Sequence, residues 1–301
     1  MTRRDIELGR TSWAAAGPLA GSLEFRAARV LGALTRRARL LLALSAIILP
    51  AWAETAAERG KRVVDAALQA VGGNRFLQMQ DRVESGRAYS FYREQISGLS
   101  VAKIYTRYLV RPEPPVPEAL SVRERETFGK DESNYVLFTD AGAWEATYRG
   151  ARPLDEERIK NYRESTLLNI FYILRERLGE PGLTFYSQGS DIVENVPVEI
   201  VDITDADGRT VTVSFSQSTK LPVRQVFRRR NAQYKDFDRE VTAYAKYRDS
   251  GNGIMWPWDI RRERNGEKIF EMYSDSVELN RDLKDNLFTL PWNLKILPPA
   301  K

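Results

Sequence analysis

Hydrophobic and polar residues alternate most clearly near the C-terminus of the chain. There, large apolar residues are separated by single residues of other kinds, a period of two that is typical of a β-strand with one apolar face. The apolar positions are Ile254, Trp256, Trp258 and Ile260. The pair Asn265-Gly266 follows, and because both residues tolerate positive φ, we predict a two-residue hairpin turn at this point.

Pro257 interrupts this alternating segment. Since proline has no amide hydrogen to donate to a neighbouring strand, we predict that the strand lies at an edge of its sheet or carries a bulge at Pro257. A Gly-containing turn at residues 250–253 joins the strand to the one before it.

Further extended segments rich in β-branched and aromatic residues are predicted along the chain. Their connections are too short for helical crossovers, so neighbouring strands must run antiparallel, as in a meander. The predicted strands cover residues 82–95, 101–110, 120–128, 135–139, 143–148, 184–188, 196–203, 210–216, 221–229 and 241–248. A Pro-rich extended linker is predicted at residues 111–117.

Two helical segments are predicted, which makes the fold class α+β. The first begins with a capping box formed by Thr55 and Glu58 and ends at Gly72-Gly73. Its apolar face consists of Val63, Val64, Ala67, Leu68 and Val71. The second covers residues 153–179, and its apolar positions occupy more than half of the helix surface, which indicates burial against more than one neighbour. Those positions are Leu167, Leu168, Ile170, Phe171, Ile173, Leu174 and Leu178.

The first 53 residues have the features of a secretory signal peptide with an extended n-region. Arginines at 36, 37 and 39 precede an apolar run at residues 40–49, and a small-x-small pattern ends at Ala53. We predict cleavage after Ala53 and a single mature domain at residues 54–301 that is periplasmic or secreted. The alternatives are an uncleaved membrane anchor, and a true start codon downstream of Met1.

Charge and composition limit the kinds of binding and catalysis that the chain can carry out. The formal net charge of +5 arises entirely from the leader, because residues 54–301 contain equal numbers of basic and acidic side chains. This balance gives no support to nucleic-acid binding. The chain contains no cysteine, which excludes disulfides and lipid attachment at cysteine, and no histidine, which removes the commonest general base and zinc ligand. We predict no cofactor and no metal site.

The order of these parts resembles the LolA/LolB/LppX superfamily of envelope lipoprotein and lipid carriers. The resemblance rests on the helix ending in Gly-Gly after the leader, the helical insertion between two runs of strands, and a C-terminal pattern. That pattern comprises residues 247–249, a Gly turn, residues 255–257, Asn265-Gly266 and residues 280–291. The resemblance implies an incomplete β-barrel whose concave face is covered by helices over an apolar cavity for acyl chains. The missing cysteine makes the chain more similar to LolA than to LolB, and an arginine among the cavity-lining strands is implied without being assigned.

Candidate cavity-lining residues come from the aromatic strand face, from the apolar helix and from large aromatic residues of other predicted strands. They are Trp256, Trp258, Ile254, Phe91, Tyr105, Trp144, Leu167, Phe171 and Leu174. The alternative interpretation is that these large side chains form an ordinary filled core. The apolar helical segment 167–178 is likewise predicted either to act as a lid over the open face or to be fixed in the core.

Three other groups of polar residues have the composition of a possible site. The arginine run at 228–230, near Tyr234, suits contact with acidic phospholipid headgroups or a partner, or else is a solvated strand end. Glu124 and Glu126 share a strand face, as a glycosidase carboxylate pair does, but Arg123 and Arg125 alternate with them, and ion pairing of such a run across strands explains the pattern equally well. The group around Asp205 and Asp207 is predicted to be a turn rather than a calcium loop.

These observations favour a non-enzymatic, monomeric carrier for a lipidated or hydrophobic ligand, with possible roles in outer-membrane lipoprotein or lipid sorting and with envelope proteins as partners. The alternative is an interaction or sensing module of the same fold with a filled core.

Overall fold

The computed structural model describes residues 54–110, 119–231 and 233–299. The predicted signal peptide and the whole of the predicted Pro-rich linker lie outside these residues. Within the described part of the chain, no helix combines the length and the apolar character needed to cross a membrane.

The described strands form one antiparallel sheet of thirteen strands, which confirms the predicted fold class. The strands are β1 (Asp81–Tyr92), β2 (Gln95–Tyr108), β3 (Val122–Phe128), β4 (Asn134–Thr139), β5 (Gly142–Thr147), β6 (Gly150–Pro153), β7 (Thr184–Val193), β8 (Val196–Thr204), β9 (Thr210–Ser216), β10 (Pro222–Arg230), β11 (Phe237–Asp249), β12 (Met255–Arg264) and β13 (Glu267–Leu279). Two meanders, β1 to β6 and β7 to β13, are joined where β13 pairs with β1. The sheet is therefore open, with β6 and β7 at its two edges.

Helix α1 (Ala56–Val71) begins at the predicted capping box, in which Thr55 accepts from the amide of Glu58 and the Glu58 carboxylate accepts from the amide of Thr55. It ends where Gly72 and Gly73 both adopt positive φ, a conformation that favours glycine. A short helix α2 (Asn74–Leu77) follows. Gly60 lies so close to β7 that a Cβ atom there would be 2.9 Å from the carbonyl carbon of Phe185.

The second helical region is broken, so the prediction of one continuous helix over residues 153–179 is wrong. Helix α3 (Glu156–Leu167) is capped by Asp155, and Asn169 then starts helix α4 (Ile170–Tyr172) by accepting from the amides of Phe171 and Tyr172. A π-helical turn (Ile173–Arg177) completes the region. The side-chain cap at Asn169 competes with helix continuation, because it satisfies the amides of a new helical start.

Strand β12 lies inside the sheet between β11 and β13, so the prediction that it is an edge strand is wrong. The register shift in its pairing with β13 falls between Arg262 and Glu263, not at Pro257. Proline is accommodated because β13 pairs with β12 only from Asp259 onwards, which leaves Pro257 paired on the β11 side alone. The predicted turns at residues 250–253 and at Asn265-Gly266 are confirmed, with both Asn265 and Gly266 at positive φ.

The two faces of the sheet are covered by different segments. We call the face that carries Trp256 the inner face; its main core packs against α1, α4 and the π-helical turn. On the opposite, outer face, Tyr105, Tyr135 and Leu137 pack beneath the segment that follows β13. That segment includes a short 3-10 helix (Asp285–Phe288), whose Phe288 is buried.

Candidate ligand-binding site

The main core brings together four of the predicted cavity-lining residues. The rings of Trp256 and Phe171 lie 4.6 Å apart, centroid to centroid, while Ile254 and Leu174 belong to the same buried cluster. Trp256 is only 4% exposed. These side chains therefore pack against protein atoms in this structure.

The other predicted residues lie elsewhere. Trp258 is half-buried at the margin of the main core, with the guanidinium of Arg248 4.3 Å from its ring centroid. Leu167 packs with Val122 and Tyr172 in a small separate cluster.

Tyr105 and Trp144 belong to the outer-face cluster. Phe91 lies near the end of β1, and the Lys268 ammonium is 4.9 Å from its ring centroid.

The segment predicted to be a lid is embedded in the core. Ile170, Phe171, Ile173 and Leu174 are all buried in the main cluster. The helix before them has a different character: of its twelve residues, Leu167 alone is buried. Helix α3 is therefore the loosely packed covering element.

Helix α3 bridges two distant parts of the sheet. The ring of Tyr162 stacks on Phe138 of β4, with centroids 3.6 Å apart. At the other side, Arg229 of β10 donates to Glu164 at 3.0 Å and to the carbonyl of Asn161 at 3.2 Å. Six strands separate β4 from β10 in the sheet order, so the sheet curves and α3 spans the opening between its arms.

A band of charged side chains crosses the inner face between the arms that α3 joins. The strand register places Arg82, Thr106 and Glu124 in one row across β1, β2 and β3. Glu84, Ile104 and Glu126 form the next row. Sequence reasoning missed Arg82 and Glu84, because alternating charges on a strand are usually solvated.

Arg82 and Glu84 connect this band to Trp256. The Arg82 guanidinium lies 3.9 Å from the Trp256 ring centroid and donates to Thr106 at 3.0 Å. Glu84 accepts from the Trp256 indole N–H at 3.2 Å and from the Ser274 hydroxyl. Both charged residues are buried, which demands such partners.

Glu124 is the most perturbed group of the band. Burial, followed by the neighbouring charge of Glu126, raises the pKa of Glu124 to about 8, although Arg82 and Arg262 oppose the shift. The Thr106 hydroxyl donates to Glu124 at 3.2 Å. Near neutral pH this carboxyl is therefore largely protonated.

The alternating run 123–126 divides between the two faces of the sheet, and Arg123 makes ion pairs with carboxylates outside its own strand. Arg123 pairs with Asp140 at 2.7 Å and Asp285 at 3.1 Å, and Arg125 lies over the Tyr135 ring. Because successive strand residues point to opposite faces, neither arginine reaches the carboxylates beside it in sequence.

A second apolar strip follows the charged band on the inner face. Ala88, Ala102 and Met272 are buried there, and half-buried Ile104, Phe128 and Phe270 pack against them. This strip is separate from the main core. The inner face thus offers an apolar surface next to a polar, partly ionised one.

The arginine run at 228–230 also divides between faces. Arg229 is buried among Glu164, Glu240 and Ser165, whereas Arg228 and Arg230 are exposed. The group around Asp205 is a turn, as predicted: its carboxylate accepts from the amides of Asp207 and Arg209 and pairs with Arg177 at 3.2 Å. Within the described residues, no cluster of three or more acidic side chains is arranged to hold a metal ion.

No protein-family profile and no curated protein matches this chain in sequence. Solved structures do match it. A DUF1329 family protein from Desulfovibrio piger is 13% identical with a TM-score of 0.52, covering 76% of this chain and 97% of its own. A LolA superfamily protein from Nitrosomonas europaea is 12% identical with a TM-score of 0.48, covering 77% and 97%. A domain described as an outer membrane lipoprotein-sorting protein, from Vibrio parahaemolyticus, is 11% identical with a TM-score of 0.49, covering 77% and 97%.

At these identities, the likeness concerns the fold alone. The likeness to the DUF1329 protein, together with the strand order, confirms the predicted fold: an open, curved antiparallel sheet with helices on one face.

Proposed function

We propose that residues 54–301 form a non-enzymatic carrier, released to the periplasm or secreted after cleavage at Ala53, that binds an acylated or hydrophobic ligand on its inner face. The observation that carries this proposal is the second apolar strip, which lies outside the main core and beside the charged band. The bridging position of α3, which spans the arms of the sheet, supports a role as the element that opens for the ligand.

The arrangement suits an amphipathic ligand. An acyl chain against Ile104, Phe128 and Phe270 would gain about 0.8 kcal/mol for each CH₂ group removed from water. A polar head would then meet the band that contains Arg82 and Glu124, where the guanidinium offers charged hydrogen-bond donors and the protonated carboxyl a neutral donor and acceptor. Release requires a partner that competes for the chain or displaces α3.

Ligand content provides the direct test. We expect protein purified without detergent from its native envelope to carry lipid in native mass spectrometry, and the delipidated protein to bind an apolar fluorophore. Ile104→Gln is expected to weaken fluorophore binding about tenfold by removing apolar contact area. Ile192→Gln, at a residue 69% exposed on β7, is the matched control. Protein that is always empty and binds no apolar probe contradicts the proposal.

The alternative is an interaction module with a filled core, and the packing of Trp256 on Phe171 favours it. The two hypotheses differ in the effect of Trp256→Ala on ligand binding. The change costs about 3–5 kcal/mol in either case, because Trp256 is packed in the main core; in a carrier whose ligand reaches the polar partners of Trp256 it also weakens binding of the apolar fluorophore, whereas a filled core binds no such probe before or after the change.

A further inference from the structure

A groove of about 520 Å³ lies at the strand ends opposite the β11–β12 turn. It forms at the C-terminal end of β10, which extends beyond the N-terminal end of β9. The last pair between the two strands is Phe227 with Val211, so residues 228–230 have no partner on β9. Val226, Phe227 and Leu168 provide an apolar floor.

Four arginines line this groove, at positions 209, 228, 230 and 239. Arg209 is neutralised by Asp205 at 2.8 Å and by Asp207 at 2.6 Å. The one acidic lining residue, Glu164, is engaged by Arg229. In the part of the chain that the structure describes, no ion pair joins Arg228, Arg230 or Arg239 to a carboxylate.

The placement of two of these arginines is unfavourable for folding. Arg228 on β10 and Arg239 on β11 are direct cross-strand partners, and like charges in that position destabilise a sheet. Arg230 lies two residues further along the same face. A cluster that costs stability and forms no ion pair within the described chain points to an anion outside it.

Aromatic residues surround the cluster. Phe237 is 49% exposed and lies under the Arg228 guanidinium, 4.9 Å from its ring centroid, and Tyr234 in the β10–β11 connection is 72% exposed. Exposed aromatic rings beside basic side chains are typical of surfaces that sit at the interface of a bilayer, where rings enter the headgroup layer and cations meet lipid phosphates.

We propose that this groove, together with Tyr234 and Phe237, docks the protein on a bilayer that exposes anionic phospholipid headgroups, with Arg228, Arg230 and Arg239 contacting their phosphates. The three arginines lie on the outer face, so their contact with a bilayer does not depend on which ligand the inner face holds. A soluble acidic protein segment is the competing occupant; the free edge of β10 is only three residues long, which favours headgroups over an extended peptide.

The test compares binding of the full chain to vesicles of phosphatidylcholine alone and of phosphatidylcholine with 30% phosphatidylglycerol. We expect binding only to the anionic vesicles, weakening as salt is raised. Arg228→Glu/Arg239→Glu is expected to weaken it at least 20-fold, since each arginine near an anionic surface contributes about fivefold. The control Arg93→Glu/Lys130→Glu makes the same charge change at exposed sites outside the groove and is expected to stay within about twofold.

Measurements of thermal stability distinguish a variant that has lost the docking site from one that has lost its fold. Arg239→Glu alone places opposite charges across β10 and β11, so its thermal midpoint is expected to equal or exceed that of the unchanged protein while vesicle binding falls. Equal binding by the groove variant and its control overturns the proposal. Arginine-dependent binding of polyglutamate without binding to anionic vesicles also overturns it, and assigns the groove to an acidic protein segment.

Discussion

Trp256 on β12 donates its indole N–H to Glu84 on β1 at 3.2 Å, although 172 positions separate the two residues in the sequence. The same tryptophan packs against Phe171 and lies under Arg82. It therefore forms the boundary between the main core and the charged band, with an apolar contact on one side and polar contacts on the other.

Replacement of Trp256 separates these two roles. Trp256→Phe keeps a ring against Phe171 but leaves buried Glu84 without one donor, so we expect a loss of about 2 kcal/mol. Trp256→Ala also opens a cavity and is expected to cost about 3–5 kcal/mol. Urea unfolding measures both values.

Trp292→Ala is the control, because Trp292 is 97% exposed and its removal should change stability by less than about 0.5 kcal/mol. If Trp256→Phe proves as stable as the unchanged protein, the bond to Glu84 contributes nothing to folding.

The raised pKa of Glu124 makes stability depend on pH. In the folded protein its pKa is about 8, against an ordinary value of 4.5, so between these values the folded state holds a proton that the unfolded state has lost. This contribution to stability therefore falls as pH rises through that window, by at most about 1.4 kcal/mol per pH unit, and is constant above pH 8. Glu124→Gln, which mimics the protonated form, should flatten the profile and be the more stable protein at pH 8.5 to 9.

Chemical denaturation at several pH values between 5 and 9 provides the measurement. Glu267→Gln is the control, since Glu267 is exposed and its change should leave the slope as it was. A Glu124→Gln profile parallel to that of the unchanged protein would show that Glu124 titrates alike in the folded and unfolded states.

Local patterns predicted much of the fold. The capping box at Thr55, the Gly-Gly end of α1, the antiparallel meanders and the Asn265-Gly266 hairpin each depend on residues that are near one another in sequence. The pairing of β1 with β13, which joins the two meanders, depends on no such local signal. The packing of Phe288 on the outer face has no local signal in the sequence either. Tyr105 and Trp144 belong to this outer-face cluster and are therefore separated from the inner-face candidates.

The polar part of the site was beyond sequence reasoning for a related reason. Arg82 and Glu84 alternate on β1 like solvated residues. Only the pairing of β1 with β2 and β13, which places β12 beyond β13 on the same sheet, makes them buried partners of Thr106 and Trp256. Likewise, the large apolar surface of the second helical region correctly predicted that this region is buried. The break at Asn169 was not predicted, and because of it the loosely packed cover is the polar helix α3 and not the apolar segment.

Helix α3 should open more readily than the rest of the inner-face cover. Leu167 is its one buried residue, whereas α1 buries five residues including Val64 and Ala67. We therefore expect α3 amides to exchange with deuterium well before those of α1. Arg229→Gln, which removes the bonds to Glu164 and Asn161, should accelerate exchange in α3 further.

Arg228→Gln, one residue away but on the outer face, is the matched control and should leave α3 exchange unchanged. Exchange of α3 and α1 at the same rate in the unchanged protein would mean that α3 opens only with global unfolding, which excludes it as a lid.

The contact between α1 and β7 should be limited by Gly60. A methyl group at this position would lie 2.9 Å from the carbonyl carbon of Phe185 and 3.0 Å from both its oxygen and the amide nitrogen of Ser187, all backbone atoms that cannot rotate away. Gly60→Ala must therefore push α1 away from the sheet, and we expect it to cost about 1–3 kcal/mol despite the higher helix propensity of alanine. Gly179→Ala is the control, because its Cβ would meet no atom within 4 Å. Thermal unfolding compares the two variants; if Gly60→Ala is at least as stable as Gly179→Ala, then α1 is not held as close to β7 as the backbone distances require.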